Sequence, residues 1–161
     1  MNKITCTPIG IIHSPFKEPS GMPIQPGGAK DIEGSVEIFE EFIKGLINLE
    51  GFSHITLLYH FHLSKEHSLI VKPYLDENSR GVFATRAPSR PNSIGISVVK
   101  LVKIKKNILH IKNVDIVDGT PLLDIKPYVP QFNPTENCKI GWLEKNIGKL
   151  NSTEGDNRFK I

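Results

Sequence analysis

Arg80, Arg86 and Arg90 fall within eleven residues, with Pro88, Pro91 and Asn92 beside them. Guanidinium groups bind carboxylate and phosphate through paired, charge-assisted hydrogen bonds. Each proline fixes its own φ and biases the residue before it, here Ala87 and Arg90, towards extended backbone. A stiff loop of this kind is suited to gripping a carboxylate, a phosphate or a nucleotide; a surface turn of solvated arginines is the alternative. A second set is acidic. Asp115 and Asp118 stand in Asp115-Ile116-Val117-Asp118-Gly119-Thr120-Pro121, with Asp124 following, and would orient a cationic or hydroxylated ligand. The same stretch is a turn in which an Asp side chain bonds nearby backbone and glycine takes a positive φ. A third set is imidazole. His60 and His62 could reach one ion, yet residues 54–63 carry no Asp, Glu or Cys to complete the usual shell. Polar lining is favoured over a metal site. Cys6 and Cys138 lie far apart, so neither a zinc ribbon nor a disulfide framework is indicated.

These groups need strands to hold them. Residues 4–13 read as a first strand, with Gly10 as a bulge. Residues 18–30 form a long loop rich in proline and glycine, in which Met22, Ile24 and Gln25 offer an apolar contact and an amide. Loops of that length are binding loops as readily as connectors. Residues 34–40 alternate as a strand, and 41–50 read as a short amphipathic helix weakened by Gly45. In residues 54–63, Ile55, Leu57, Tyr59, Phe61 and Leu63 form a core face, opposed by His54, Thr56, Leu58, His60 and His62. A short strand follows at 68–72. The arginine loop lies between Val82-Phe83-Ala84, read as a strand, and a second strand at 95–105. A turn at 105–107 leads to a return strand at 108–114. Lys100, Lys103, Lys105, Lys106 and Lys112 make that hairpin basic, a solvated surface that resists aggregation in preference to a phosphate patch. Residues 122–128 are another strand, with Asp124 and Lys126 on one face as an ion pair. Residues 137–147 read as a short helix, completing a domain over 1–147, and 148–161 as a loose tail or peripheral strand.

Short strands joined by hairpins give a mostly β fold, a small closed or pseudo-barrel of mainly antiparallel strands with minor helices. The 161 residues, 39% of them hydrophobic, suffice for one packed domain, and the net charge of +3 permits an anionic partner without requiring one. No apolar run has the length of a membrane span and no signal peptide opens the chain, so a cytoplasmic protein with no membrane partner is expected. Absence of G-x-G-x-x-G, G-x-x-x-x-G-K-[ST] and G-x-S-x-G argues against Rossmann, P-loop and α/β-hydrolase chemistry.

Several segments together resemble one family. They are Ile9-Gly10, Ser14-Pro15-Phe16-Lys17, Gln25-Pro26-Gly27, Gly51-Phe52-Ser53-His54, Gly81-Val82-Phe83-Ala84-Thr85-Arg86, Arg90-Pro91-Asn92-Ser93-Ile94-Gly95, and the Asp115–Pro121 stretch running into Asp124-Ile125-Lys126-Pro127-Tyr128. In this order, over residues 4–132, the chain resembles the TsaA-like (YaeB-like) family. The resemblance implies a small β-barrel, a homodimer with its cofactor near the subunit interface, and an S-adenosylmethionine-dependent methyltransferase. The implied substrate is tRNA, methylated on N6 of the threonylcarbamoyl-adenosine beside the anticodon. Carried over by motif, the cofactor contacts would be Ile24, Gln25, Pro26, His62, Leu63, Arg86 and Ile96, with Val114, Asp115, Ile116, Val117 and Asp118. Ile24 departs from a common basic residue and Leu63 from a common amide, so backbone contacts would survive there. The chain is similar to the shorter archaeal-type members, without the second domain of many bacterial ones. Asp118 is the first candidate to accept the target proton and Asp115 the second, with turn stabilisation as the alternative role for Asp118. Arg90 and Asn92 are candidates for substrate contact. A non-catalytic module of the same fold, binding S-adenosylmethionine or RNA, is the competing reading.

Overall fold

The computed structural model describes residues 3–132, 136 and 138–159. Its strands are β1 (Gly10–His13), β2 (Glu33–Ile38), β3 (His54–His60), β4 (Ile70–Val71), β5 (Arg80–Gly81), β6 (Ile94–Lys105), β7 (Ile108–Lys112) and β8 (Thr120–Pro127). β4 and β5 pair with each other; the rest close into an antiparallel barrel in the order β1-β2-β7-β6-β3-β8, with β8 returning to β1. Closure leaves no sheet edge unpaired in the barrel. Register shifts at Leu58/Tyr59 against β8 and at Leu101/Lys103 against β7 provide the local bends that closure needs.

Strict alternation fills the interior. Ile55, Leu57 and Tyr59 of β3 are buried, as are Val99 and Leu101 of β6, Leu109 and Ile111 of β7, Val36 and Ile38 of β2, and Leu122 of β8. One cluster joins them to Ile12, Val114 and Ile116. A second, smaller cluster lies outside the barrel and holds Val71, Val82, Ala87 and Phe159, with Tyr74 packed on it.

Several expected elements take another form. Residues 4–8 are not paired, and β1 is confined to Gly10–His13, where Gly10 sits in register with both Ile38 and Leu122 rather than in a bulge. The expected helix over 41–50 is two 3₁₀ turns, Glu40–Leu46 and Leu49–Gly51, separated at Asn48 by a left-handed φ of 66°. Leu46 still enters the core and Phe42 and Leu49 pack against it, whereas Ile47 is exposed. Val82–Ala84 is a 3₁₀ turn instead of a strand, and only Val82 is scaffold: Phe83 is 76% exposed. Residue 137, the start of the expected last helix, lies outside the described residues; the remainder of that stretch forms the 3₁₀ turns Gly141–Lys145 and Ile147–Lys149. Within 149–159 the chain is tied down rather than loose, with Glu154 bridging Pro23 and Phe159 8% exposed. The Lys106-Asn107 turn, the positive φ of 76° at Gly119 and the 2.8 Å Lys126–Asp124 pair match expectation.

Candidate functional site

One end of the barrel, where β3 finishes and β6 and β8 begin, opens into a cavity of about 370 Å³. That size suits a nucleoside-scale ligand. The barrel supplies Tyr59, Phe61, His62 and Leu63 from the end of β3, Ile94, Gly95 and Ile96 from β6, and Asp115, Ile116, Val117 and Thr120 from the connection into β8. Outside the barrel, the long first loop brings Ile24 and Gln25, the arginine loop brings Arg86 and Arg90, and Tyr74 and Phe159 come from the satellite cluster. The cavity therefore lies between the two apolar clusters.

A hydrogen-bonded chain stands in its wall. Ser97 Oγ donates to Asp115 Oδ1 at 2.7 Å, and Tyr59 Oη lies 3.1 Å from Ser97 Oγ. The serine has one hydrogen and directs it to the carboxylate, so the Tyr59 hydroxyl donates to the serine. Burial pushes the Asp115 carboxyl up to about 6, against the pull of the Ser97 hydrogen bond and the Arg86 charge. Burial, and then Asp115 itself, hold the Tyr59 phenol well above its ordinary value. At neutral pH the site thus contains an ionised carboxylate with high proton affinity beside a phenol that stays protonated.

Position in the barrel makes this chain. Tyr59 is opposite Gly95 in the β3–β6 ladder, and its ring covers the glycine. A Cβ at Gly95 would strike the rings of Tyr59 and Phe61, so only glycine lets both aromatics lie across the strand.

His62 lies beyond the end of β3. Its Nδ1 is 3.3 Å from Thr120 Oγ1, whose hydrogen goes to the carbonyl of Val117 at 2.6 Å. Nδ1 therefore carries the proton, and Nε2 is an acceptor. Burial, reinforced by His60, lowers the His62 pKa, which favours the neutral ring. Among the described residues no group of three or more His, Cys, Asp and Glu is placed to hold a metal ion.

The three arginines diverge. Arg80 pairs with Asp76 at 2.6 Å. Arg90 Nη1 donates to the carbonyls of Thr85, Val82 and Ala87 at 2.8, 3.2 and 3.4 Å, so it ties the loop together although it borders the cavity. Thr85 adds to that loop by donating to Val82 O and accepting from Ala87 N–H. Arg86 is exposed and meets the side-chain oxygen of Gln25 at 3.4 Å, which joins the two loops at the cavity.

Of the residues singled out in the sequence, Ile24, Gln25, His62, Leu63, Arg86, Arg90, Ile96, Asp115, Ile116 and Val117 meet at the cavity. Four do not line it. Val114 is fully buried behind it, Pro26 begins the adjoining Pro26–Ala29 turn, and Asn92 is exposed. Asp118 points the other way: it accepts from the Ser14 N–H at 3.1 Å and binds Lys17 Nζ at 2.7 Å. The Lys17 hydrogen bond holds its carboxyl below the usual range. Its geometry is that of a turn-stabilising residue, and Asp115 is the carboxylate at the cavity. Sequence reasoning assigned Tyr59 to the core alone and passed over Ser97, Thr120, Tyr74 and Phe159. The pairing of Tyr59 with a glycine is a signal visible only once the strands are aligned.

Residues 11–134 match the family described as tRNA-methyltransferase O N-terminal domain. The chain belongs to this family. A Pyrococcus abyssi protein, named as a probable S-adenosyl-L-methionine-binding protein, is 65% identical over 152 residues, covering 94% of this chain and 83% of its own length. The tRNA (adenine(37)-N6)-methyltransferase of Escherichia coli is 41% identical over 132 residues, covering 76% of this chain and 56% of the bacterial protein. A crystal structure of TrmO from Pseudomonas aeruginosa superposes with a TM-score of 0.74 at 38% identity, over 88% of this chain and 63% of that one. The family match thus covers the barrel and most of the cavity lining, and these bacterial proteins extend well beyond the part that this chain spans.

Proposed function

We propose that the protein transfers a methyl group from S-adenosylmethionine to N6 of threonylcarbamoyl-adenosine next to the anticodon of tRNA. The enclosed Tyr59–Ser97–Asp115 chain in the cavity wall carries this reading, and the names of the P. abyssi and E. coli relatives support the cofactor and the substrate. The residues fit the cofactor's chemistry: a carboxylate and a neutral imidazole for its cationic parts, Arg86 for its carboxylate, and apolar walls at Ile24, Ile96 and Ile116 for its base. When bound, the cofactor supplies a methyl already activated by the sulfonium.

This chain then has two tasks. Alignment falls to the two loops joined at Gln25 and Arg86. Removing a proton from the target nitrogen falls to Asp115. The nitrogen belongs to a urea-like linkage and is a weak nucleophile, so a carboxylate titrating near 6 is matched to the need. With that methyl transferred to the nitrogen, Asp115 would hold the proton the nitrogen gives up. Ser97 and Tyr59 hold the carboxylate and stabilise its charge.

The same reading includes a homodimer and residence in the cytoplasm. Ile94 and Ile96, 43% and 48% exposed beside the cavity, offer apolar surface to a second copy, and no helix among the described residues is long and apolar enough to cross a membrane.

Calorimetry with S-adenosylmethionine, followed by transfer of labelled methyl to threonylcarbamoylated tRNA, tests the proposal. Absence of binding at millimolar cofactor rejects it. Binding without transfer would leave a cofactor- or RNA-binding module of the same fold. Equilibrium sedimentation checks the dimer, and a monomer at all concentrations removes it.

A further inference from the structure

The last described segment lies outside the family match, which ends at residue 134, yet it builds part of the cavity. Glu154 bridges Pro23, Gly155 N–H donates to Met22 O at 2.7 Å, and Gly21 N–H donates to Gly155 O at 2.9 Å. These contacts seize the loop that delivers Gln25. The approach is close enough that a Cβ at Gly155 would strike the carbonyl oxygen of Pro19. Four residues on, Phe159 packs with Val82 and Ala87 of the arginine loop, and edge-on against Tyr74 at 5.2 Å. Arg158 secures the same end, donating to Pro73 O at 2.9 Å with its guanidinium 4.8 Å from the Tyr74 ring centre. The segment is therefore anchored on both sides of the cavity. Gly155 and Phe159, one from each anchor, both line it.

We propose that residues 154–159 are a strap that forms part of the cofactor pocket, pressing the Gln25 loop and the Arg86 loop into their binding positions. The inference rests on the cofactor reading above. Gly155 and Phe159 are positioning residues: they act through Gln25 and Arg86, which touch each other at 3.4 Å across the two loops. Neither loop is part of the barrel ladder, and the strap touches both, through Gly155 on the Gln25 side and Phe159 on the Arg86 side. A pocket whose walls must be ordered on binding loses affinity by the cost of that ordering, and a pre-set wall removes the cost.

The test uses the full chain with Phe159→Ala and, separately, Gly155→Ala, which adds one methyl against Pro19 and leaves the apolar clusters intact. Calorimetry with S-adenosylmethionine reads affinity, and hydrogen exchange without ligand reads the two loops. The expected result is binding about tenfold weaker in each variant, with faster exchange at residues 19–25 and 82–90 and unchanged protection in β3 and β6. If Phe159→Ala does not fold, Gly155→Ala decides. Affinities within about twofold of the wild type, or loops as protected as before, overturn the strap. No heat from the wild-type protein overturns the cofactor reading instead, and the exchange data then still show whether the strap holds the loops.

Discussion

Asp115 and Asp118 occupy one turn, and they face in opposite directions. Asp115 is enclosed by the barrel mouth, bonded to Ser97, and titrates near 6. Asp118 reaches back to the exit of β1, where Lys17, the Ser14 amide and His13 lower its pKa. Identical side chains thus become an enclosed carboxyl with a raised pKa and a structural anchor. Desolvation dominates at the first and a charged hydrogen bond at the second. A group that favours its neutral form at a cavity costs stability when ionised and gains reactivity; one held as an anion contributes stability and is a weak base.

The largest effect expected from breaking this contrast is on catalysis. Asp115→Asn should lower methyl transfer by about 10²–10⁴-fold, a larger loss than any weakening of cofactor binding. In the wild type, kcat/KM should rise through about pH 6 as Asp115 ionises, and that limb should vanish in the variant. A profile still rising through pH 6 in Asp115→Asn would assign the limb to another group. Stability should move the other way. The folded pKa is raised above the ordinary carboxylate value, so stability from this proton is full below about pH 4 and is lost as pH rises through about 6. Thermal unfolding above pH 7 should then find Asp115→Asn the more stable protein, by roughly 1–3 kcal/mol.

Next in size is the contrast between two arginines. Arg86→Ala should weaken S-adenosylmethionine binding about tenfold or more with little change in melting temperature. Arg90→Ala should instead destabilise the fold by roughly 1–2 kcal/mol, since three carbonyls of the loop lose a charged donor. Calorimetry and melting curves on the pair separate the roles; equal losses of affinity and stability in Arg86→Ala would contradict the division.

The smallest effect is expected at the anchor. Asp118→Ala should cost about 1 kcal/mol of stability and leave methyl transfer within a few fold of wild type. Asp118 has a lowered folded pKa, so its contribution is present above the ordinary carboxylate range and is lost as pH falls below it. A melting curve series below pH 5 should therefore show wild type and variant converging. A catalytic loss comparable to that of Asp115→Asn would return Asp118 to the active site.

Much of this was legible along the chain. The alternation of Ile55, Leu57 and Tyr59 locates β3, the Lys106-Asn107 turn locates the β6–β7 hairpin, and both survive because a period of two allows a single buried face. The short amphipathic stretch at 41–50 was harder. Its apolar spacing does seat Phe42 and Leu46, but Gly45 and the left-handed Asn48 leave too few consecutive residues to nucleate an α-helix. Phe83 shows the opposite limit. A large apolar residue in an apolar run reads as core, and here it lies exposed beside Arg90, 5.9 Å from that guanidinium.

By itself the sequence determined a mostly β chain, an arginine loop between strands, a long proline- and glycine-rich loop and an acidic turn, since each of these depends on neighbours close along the chain. Tertiary structure alone decided which groups meet. Whether Asp115 or Asp118 faces the cavity depends on barrel closure around Ser97 and Tyr59, 18 and 38 residues distant along the relevant hydrogen bonds. Arg86 differs from Arg90 for the same reason: a guanidinium finds its partners in space, and those partners are set by how the loop folds back on itself. The segment after residue 150 is the clearest case. Its composition is that of a polar tail, and packing of one ring and two backbone hydrogen bonds make it a wall of the site.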